Sequence, residues 1–344
     1  MTDIADVCLV GFGAIGTIYA FALEHSSRVR ITAVCRSSFD VVSVHGVQII
    51  SDKVGTHHWH PYRVVRSIEE AADREYQFIV CATKSVPEVI LTSRLLNPLL
   101  SRLSSRSQTT IILLQNGIGI EDDLLEVLNS RGLSNIVVVS GCAWVDTTVF
   151  DGGRKVTQVG TERLVLGYHK PRLDSPAFSE TVAQERLEDF CDKLLAGGVT
   201  PELAPDVDAA RWRKVLWNAS FSTICTLSRG TVGEVLSVPS ARQTLSEVMA
   251  EVLNVARAAL PQESAKTLPD TIIQGIIDHE SPKSIFKPSM LVDLEAGRPM
   301  EVEAIVGGVL RRAREVDIAA PKLEVIYASL SVIQKKLLGT RRTK

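Results

Sequence analysis

The sequence lacks the features that mark membrane-spanning, disulfide-linked and nucleic-acid-binding proteins. No apolar run approaches the roughly 20 residues needed to cross a bilayer, and none of the six cysteines belongs to a C-x-x-C pair. The formal net charge of −2 provides no basic field that would attract nucleic acid. We therefore expect no nucleic-acid or membrane partner, and we expect the cysteines to be small buried residues in a reducing compartment.

Signatures of several other enzyme classes are also missing. No G-x-S-x-G, H-E-x-x-H or P-loop motif occurs, so the sequence does not favour a hydrolase or a kinase. His58 and His60 would share one face of a strand, but two ligands are too few for a closed zinc site, and we predict no metal. Acidic residues precede the first apolar run, which is unlike a secretory signal. We expect a cytoplasmic protein, with an organellar location left open.

The 344 residues are 45% hydrophobic and 23% charged, a balance typical of a soluble chain with two domains of moderate size. Short apolar runs alternate with helical periodicity up to about residue 204, and antiparallel-type alternation appears from 145 to 167. This pattern predicts an α/β Rossmann-type, doubly wound sheet over residues 1–204. Helical periodicity dominates after Pro205, so residues 205–344 are predicted to form an all-α domain.

A glycine-rich turn lies between the first predicted strand and the first predicted helix. Gly11, Gly13 and Gly16 fit the pattern G-x-G-x-x-G, and a second strand follows within about 30 residues. In this context the glycines permit a tight turn, a close approach of the backbone to a pyrophosphate, and close helix packing. The helix N-terminus adds N–H groups and a positive dipole end. The motif therefore predicts a dinucleotide site, to which Ala14 and Ile15 also belong.

The end of the second strand indicates which dinucleotide is bound. Proteins that bind NAD usually have an acidic residue there, which accepts a hydrogen bond from the ribose 2′-OH. Here the strand ends at Cys35 and is followed by Arg36, while the first acid is Asp40. An arginine can form paired hydrogen bonds to a 2′-phosphate, and Ser37 or Ser38 could add donors. We predict NADPH as the cofactor.

Polar residues follow the carboxyl ends of two later predicted strands. Lys84 follows one strand, and Asn116 follows the next. Ligands of open parallel sheets bind outside those ends, so both side chains are expected to face cofactor or substrate. A simple turn is the alternative interpretation of Asn116-Gly117.

One predicted helix of the C-terminal half carries a row of polar side chains. Lys214, Asn218 and Ser222 are spaced at i, i+4 and i+8, beside an apolar stripe. A lysine, an amide and a hydroxyl in one row suit a substrate with a carboxylate and a ketone. A solvated helix face is the alternative.

Together these motifs resemble the ketopantoate reductases (2-dehydropantoate 2-reductases), over most of the chain. Members of that family pair an N-terminal Rossmann domain with a helical C-terminal domain and reduce a 2-oxo acid with NADPH. The glycine motif is common to many folds, whereas the ordered set of later motifs is specific. The matching segments are V-G-F-G-A-I-G at 10–16, T-K at 83–84, Q-N-G at 115–117, R-K-V-L-W-N at 213–218, P-S-M-L-V-D at 288–293 and R-P-M-E-V-E at 298–303.

The resemblance implies roles for individual residues. Lys214 would be the general acid that protonates the carbonyl oxygen, and Glu301 would hold that lysine or a substrate hydroxyl. Ser289 and Asn218 would bind the substrate, and Asn116 would lie near nicotinamide and substrate. A helix-start acid at 301 and an N-cap serine at 289 are the structural alternatives.

The chain departs from the family pattern at two positions. Where the family commonly has a second asparagine, this chain has Ser222, which we keep as a candidate substrate residue. Where Asn-Gly is usual, it has Val306-Gly307. Reduction of a different branched 2-oxo acid therefore stays open, as does a non-catalytic NADPH-binding sensor or scaffold. The sequence leaves the oligomeric state open too, with a homodimer as one option.

Overall fold

The computed structural model describes residues 4–133, 135–170 and 179–341, which divide into two compact units. The first unit is drawn from residues 1–84, 91–115 and 121–207, and the second from 85–90, 116–120 and 208–344. The final change of unit, between residues 207 and 208, lies close to the predicted boundary between residues 204 and 205. The prediction does not include the two short segments, 85–90 and 116–120, that leave the first unit and join the C-terminal helices.

One sheet of ten strands organises the described part of the first unit. Six neighbouring strands, in the order β8-β7-β6-β1-β2-β5, are parallel, whereas the pairs β8–β9 and β3–β4 are antiparallel. The full order is β4-β3-β9-β8-β7-β6-β1-β2-β5, with β10 beside β9. The predicted parallel sheet and its antiparallel extension are therefore confirmed. The strands are β1 (Ala5–Val10), β2 (Val29–Val34), β3 (Val47–Ser51), β4 (Gly55–Trp59), β5 (Arg63–Val65), β6 (Phe78–Cys81), β7 (Thr110–Leu113), β8 (Val137–Phe150), β9 (Lys155–Tyr168) and β10 (Glu202–Leu203).

Helices accompany this sheet because its central strands are apolar on both faces. Every residue of β6 and β7 is buried, as expected of parallel strands with covered faces. Side chains from β1, β2 and the first helix contribute to one buried apolar core. The helices of this unit are α1 (Ala14–His25), α2 (Phe39–His45), α3 (Ile68–Ala71), α4 (Thr92–Leu100), α5 (Asp122–Ser130) and α6 (Glu180–Ala196), and a 3-10 turn spans Asp151–Gly153.

The parallel strands end at one edge of the sheet. In the strand register Val10 is paired with both Val34 and Cys81, and Cys81 is paired with Leu113. The loops that follow β1, β2, β6 and β7 therefore begin at the same level. This edge is where open α/β sheets bind their ligands, and it carries the glycine turn and the residues that follow the other three strands.

The described C-terminal part of the second unit is helical, as predicted. A large apolar core fills it, and Ile118, from the short segment 116–120, is one of its members. The helices are α7 (Val207–Trp217), α8 (Thr223–Ser228), α9 (Val232–Ser237), α10 (Pro239–Ala259), α11 (Gln262–Ala265), α12 (Thr271–His279), α13 (Ser289–Glu295), α14 (Gly308–Glu315) and α15 (Pro321–Arg341).

Two helices that the periodicity predicts as continuous are interrupted by π-helical turns. One turn, Asn218–Ser222, separates α7 from α8, and the other, Glu303–Gly307, precedes α14. A π turn adds a residue to the helical repeat, so side chains beyond it are rotated away from the positions that an α-helix would give them. Both turns fall within segments that the sequence marks as functional.

All six cysteines are buried and unpaired with one another, in agreement with the sequence prediction. Burial raises the pKa of the Cys35 thiol to about 12, so that thiol stays protonated near neutral pH. Among the helices of the described residues, none combines the length and the apolar character that a membrane span requires.

Candidate functional site

The glycine turn after β1 has the compact geometry that a dinucleotide site needs. Gly11 has φ of +106°, and a Cβ on it would lie 2.6 Å from the Thr83 amide nitrogen. A Cβ on Gly16 would lie 2.2 Å from the Gly11 carbonyl oxygen. Neither position tolerates a side chain without movement of the backbone, because the loop after β6 approaches Gly11 and the turn itself approaches Gly16.

The turn also leaves room for a ligand. A Cβ on Gly13 would meet no heavy atom within 4 Å, so space lies open where a pyrophosphate would approach. Gly13 is the N-cap residue of α1, and no side chain caps that helix end. The first amides of a helix, here those of Ala14 and Ile15, are suited to bind an anion. The turn therefore fits the pyrophosphate of a dinucleotide.

The end of β2 supplies an exposed cation close to this turn. Arg36 is exposed, and no described residue accepts a hydrogen bond from it. Of the two neighbouring serines, Ser37 is exposed, but Ser38 is only 7% exposed. A Cβ on Gly153 would lie 2.7 Å from the Ser38 Cβ, so the 3-10 turn covers this serine. Arg36 and Ser37 thus keep the expected access to a 2′-phosphate, whereas Ser38 lacks it.

A buried amide joins the loops that follow β6 and β7. The Gln115 Nε2 atom donates to the Thr83 carbonyl oxygen at 3.1 Å, and the Thr92 hydroxyl donates to Gln115 Oε1 at 3.3 Å. Lys84 follows Thr83 directly and is exposed. Gln115 therefore fixes the loop on which Lys84 lies. Gln115 belongs to the Q-N-G motif, but no sequence pattern predicts this structural role for it.

In the second unit, a buried carboxylate accepts hydrogen bonds from both short segments, 85–90 and 116–120. Glu301 is 3% exposed. Its Oε1 accepts a hydrogen bond from the Ser85 amide at 2.9 Å, and its Oε2 accepts one from Asn116 Nδ2 at 3.0 Å. The structure thus brings Asn116 and Glu301 together. Both oxygens of the carboxylate thus accept hydrogen bonds from protein donors. Glu301 precedes its helix and does not lie in the first helical turn.

Backbone contacts hold the same segments in place. Gly117 has φ of +112°, and a Cβ on it would lie 2.4 Å from the Ala304 carbonyl oxygen. The Ile118 amide donates to that oxygen at 3.0 Å, and Arg211 Nη1 donates to the Gly117 carbonyl at 3.1 Å. Asn116-Gly117 is therefore more than a simple turn, because it presents Asn116 at a position defined by the second unit.

The predicted polar row on the Lys214 helix is only partly kept. Lys214, in α7, and Asn218, the first residue of the π turn, are both half-buried. Ser222, at the end of that turn, is 2% exposed. The regular spacing i, i+4, i+8 does not survive the π turn, and Ser222 points into buried surroundings. Periodicity could not reveal this, because no local signal in residues 218–222 marks a π turn.

Ser289 is available for a ligand. It is exposed and is the first residue of α13, whose N-cap is Pro288 and has no side-chain cap. The N-cap alternative for Ser289 is therefore wrong. Proline before the first helical turn starts the helix, and the serine hydroxyl is left outside the capping role.

A second carboxylate, absent from the predictions, organises the other π turn. Glu303 Oε2 accepts a hydrogen bond from the Tyr327 hydroxyl at 2.6 Å, and its Oε1 forms an ion pair with Arg311. This hydrogen bond to a carboxylate raises the pKa of the Tyr327 hydroxyl above its usual value. Glu303 begins the π turn, so its contacts bear on the segment that contains Val306.

The glycine geometry predicts different results for two alanine substitutions. Gly16→Ala should lower both the stability and the affinity for NADPH, because its Cβ collides with the turn. Gly13→Ala should leave stability nearly unchanged but weaken NADPH by at least roughly tenfold, about 1.4 kcal/mol, since it fills the space for the pyrophosphate. Urea unfolding and NADPH fluorescence titration measure the two effects. Unchanged NADPH binding by Gly13→Ala would contradict the site.

The hydrogen bonds of Glu301 predict a large effect on stability. Glu301→Ala leaves the Ser85 amide and the Asn116 side chain without their buried acceptor, and should lower the free energy of unfolding by on the order of 3 kcal/mol. Glu301→Gln should cost less, because one oxygen acceptor remains. Glu263, 82% exposed in a surface pair with Lys266, supplies the control. Glu263→Ala should change stability little, and an equal loss in both alanine variants would contradict the role of Glu301.

Comparison with known proteins covers nearly the whole chain. Residues 7–171 match the family described as "Ketopantoate reductase PanE/ApbA", and residues 206–334 match "Ketopantoate reductase PanE/ApbA C terminal". An uncharacterized protein of Saccharomyces cerevisiae is 30% identical over 96% of this chain and 94% of its own length. A 2-dehydropantoate 2-reductase of Nostoc sp. is 23% identical over 97% and 96%.

A solved structure agrees with these sequence matches. The crystal structure of 2-dehydropantoate 2-reductase from Methylococcus capsulatus superposes with a TM-score of 0.78 and 27% identity, covering 96% of this chain and 97% of that one. The resemblance inferred from the motifs is thereby confirmed, and the predicted cofactor, NADPH, is the cofactor of that family. The chain belongs to the ketopantoate reductase family of NADP-dependent oxidoreductases.

Proposed function

We propose that this protein reduces 2-dehydropantoate (ketopantoate) to pantoate with NADPH, with Lys214 as the general acid. The observation that carries the proposal is the family match over both halves of the chain. It is supported by the resemblance to family motifs of the segments that contain Lys214, Asn218, Ser289 and Glu301. When bound, NADPH supplies a hydride to the carbonyl carbon. The remaining task is to bind the 2-oxo acid and to protonate its oxygen.

Lys214 is suited to bind the 2-oxo acid and to protonate its carbonyl oxygen. A lysine ammonium can pair with the substrate carboxylate and stabilise the negative charge that develops on the carbonyl oxygen. It can then transfer one proton to that oxygen, which completes the 2-hydroxy acid. Asn218 follows one turn later and is half-buried like Lys214, so its amide could donate to the same substrate.

Asn116 and Ser289 support the proposal from other segments of the second unit. The Asn116 side chain is oriented by its 3.0 Å hydrogen bond to Glu301, which leaves its amide oxygen to accept from a substrate. Ser289 offers an exposed hydroxyl. In this proposal Glu301 acts by orienting Asn116, and a direct contact between Glu301 and Lys214 stays a prediction from the resemblance.

One observation favours a second candidate, a reductase of a different branched 2-oxo acid. Ser222 and Val306 stand where the family commonly has amides, and both are buried, at 2% and 0% exposure. Neither can donate an amide hydrogen bond to the terminal hydroxyl of ketopantoate. A pocket that binds a hydroxyl by hydrogen bonds strongly rejects the analogue that lacks it, whereas an apolar pocket does not.

A matched pair of substrates distinguishes these candidates. Ketopantoate and 3,3-dimethyl-2-oxobutanoate differ only by the terminal hydroxyl group. NADPH oxidation followed by absorbance should favour ketopantoate by at least roughly a hundredfold in kcat/KM if the hydroxyl is recognised. Similar values for the two would favour the second candidate. NADPH binding without turnover of any branched 2-oxo acid would favour a non-catalytic sensor.

The general-acid role of Lys214 predicts a selective loss of turnover. Lys214→Ala should lower kcat by about 10²–10⁴-fold while the affinity for NADPH stays nearly unchanged. Lys214→Arg keeps the positive charge but holds its proton too tightly to donate it, so it should rescue substrate binding and not kcat. Steady-state kinetics with ketopantoate and NADPH titration measure these effects. Turnover within a few-fold of wild type in Lys214→Ala would rule out this acid.

The cofactor site predicts a change in nucleotide preference. Arg36→Ala should weaken NADPH by roughly tenfold or more, since a hydrogen bond to a charged group contributes about 1.5–3 kcal/mol. The affinity for NADH, which has no 2′-phosphate, should change little. Binding of both nucleotides is measured by fluorescence titration, and an equal loss for the two would reject the phosphate contact.

A further inference from the structure

A second arginine stands at the same sheet edge as Arg36. Strands β2 and β5 are parallel neighbours in which Val34 is paired with Val65. The Cys35 amide donates to the Val65 carbonyl oxygen at 2.9 Å, so the pairing extends to the last residue of β5. The two strands thus end at one level, and Arg36 and Arg66 begin the loops beyond them. No motif in the sequence marks Arg66, because β5 is a strand of only three residues.

The contacts of Arg66 place it beside the segment that follows Arg36. Its Nη2 atom donates to Asp40 Oδ1 at 2.7 Å, and its guanidinium carbon lies 4.2 Å from the centre of the Phe39 ring. Phe39 and Asp40 are the first residues of α2. The aromatic ring supports one face of the guanidinium, which restricts its orientation.

The ion pair between Arg66 and Asp40 is open to solvent. The side chains are 54% and 78% exposed, and such pairs contribute little to stability. The guanidinium beside it holds the pKa of the Asp40 carboxyl below its usual value, so Asp40 is a carboxylate near neutral pH. Among the described residues Asp40 is the only acceptor of a hydrogen bond from the Arg66 side chain, although a guanidinium has five N–H donors.

These observations bear on the recognition of the nucleotide. In dinucleotide-binding folds the ribose 2′ substituent lies at the end of the second strand, where Arg36 stands. A 2′-phosphate carries up to two negative charges and has three acceptor oxygens. One guanidinium neutralises only part of that charge. Asp40, four residues after Arg36, would repel that phosphate unless its charge is balanced.

We propose that Arg66 is a second 2′-phosphate-binding residue, and that the phosphate displaces Asp40 as its partner when NADPH binds. Arg36 and Arg66 then hold the phosphate from two neighbouring strand ends. Asp40 weakens NADPH binding somewhat, because it competes for Arg66 and repels the phosphate. The inference rests on the proposed use of NADPH, and it adds a residue that decides between NADPH and NADH.

Nucleotide binding without turnover tests this role. Isothermal titration of the full chain with NADPH and NADH should show that Arg66→Ala weakens NADPH by roughly tenfold or more and leaves NADH within about twofold. Asp40→Asn should strengthen NADPH several-fold and leave NADH unchanged, since it removes the competitor and keeps Arg66. This second variant tests the proposal even where Arg66→Ala fails to fold.

Arg74 provides the matched control. It is exposed and ion-paired with Asp73, and it precedes β6, so it lies away from the edge that carries Arg36. Arg74→Ala removes the same charge and should leave both affinities unchanged. An equal loss of NADPH and NADH in Arg66→Ala would assign Arg66 to adenine stacking or to structure and overturn the proposal. No loss at all would overturn it too.

The wild-type titration separates this inference from the proposed function. If the wild type prefers NADPH and Arg66→Ala keeps that preference, only the role of Arg66 is wrong. If the wild type shows no preference for NADPH, both the role of Arg66 and the proposed use of NADPH are wrong. A preference that falls in Arg66→Ala and rises in Asp40→Asn supports both.

Discussion

One buried carboxylate of the second unit binds both of the short segments that join the C-terminal helices. Glu301 accepts hydrogen bonds from the Ser85 amide and from the Asn116 side chain, and it is nearly inaccessible to solvent. A carboxylate in such surroundings is costly unless its oxygens receive good hydrogen bonds. These two donors therefore hold segments 85–90 and 116–120 against the chain that leads into the second π turn. The hydrogen bond from Asn116 Nδ2 to Glu301 also sets the orientation of the Asn116 amide.

The first unit could be predicted well from sequence because its signals are local. The glycine turn, strands β1 and β2 and the basic residue after β2 all lie within the first 36 residues. Gly16 is required by a contact inside the turn and Gly11 by its positive φ and the close approach of the loop after β6. Arg36 lies just beyond the end of its strand. Parallel strand order then places the later loops at the same edge without further information.

The second unit was harder to predict because its determinants are distant in sequence. Glu301 and Asn116 are 185 residues apart, and no periodicity relates them. The π turn at Asn218–Ser222 interrupts a pattern that is typical of a regular amphipathic helix, so the polar row that the sequence predicts does not extend to Ser222. Arg66 has no sequence signal for a similar reason, because its position beside the end of β2 depends on the register of β5 against β2.

The route of the chain has a consequence for how such a protein can be divided or recombined. Ile118 is part of the apolar core of the C-terminal helices, yet in the sequence it lies between β7 and α5 of the first unit. A gene fragment that ends near residue 207 would carry an isoleucine whose surroundings are missing, and the complementary fragment would contain the matching void. A domain exchange between relatives that divides the chain only near residue 207 would therefore separate parts of one core. Such an exchange should transfer residues 85–90 and 116–120 together with the C-terminal helices.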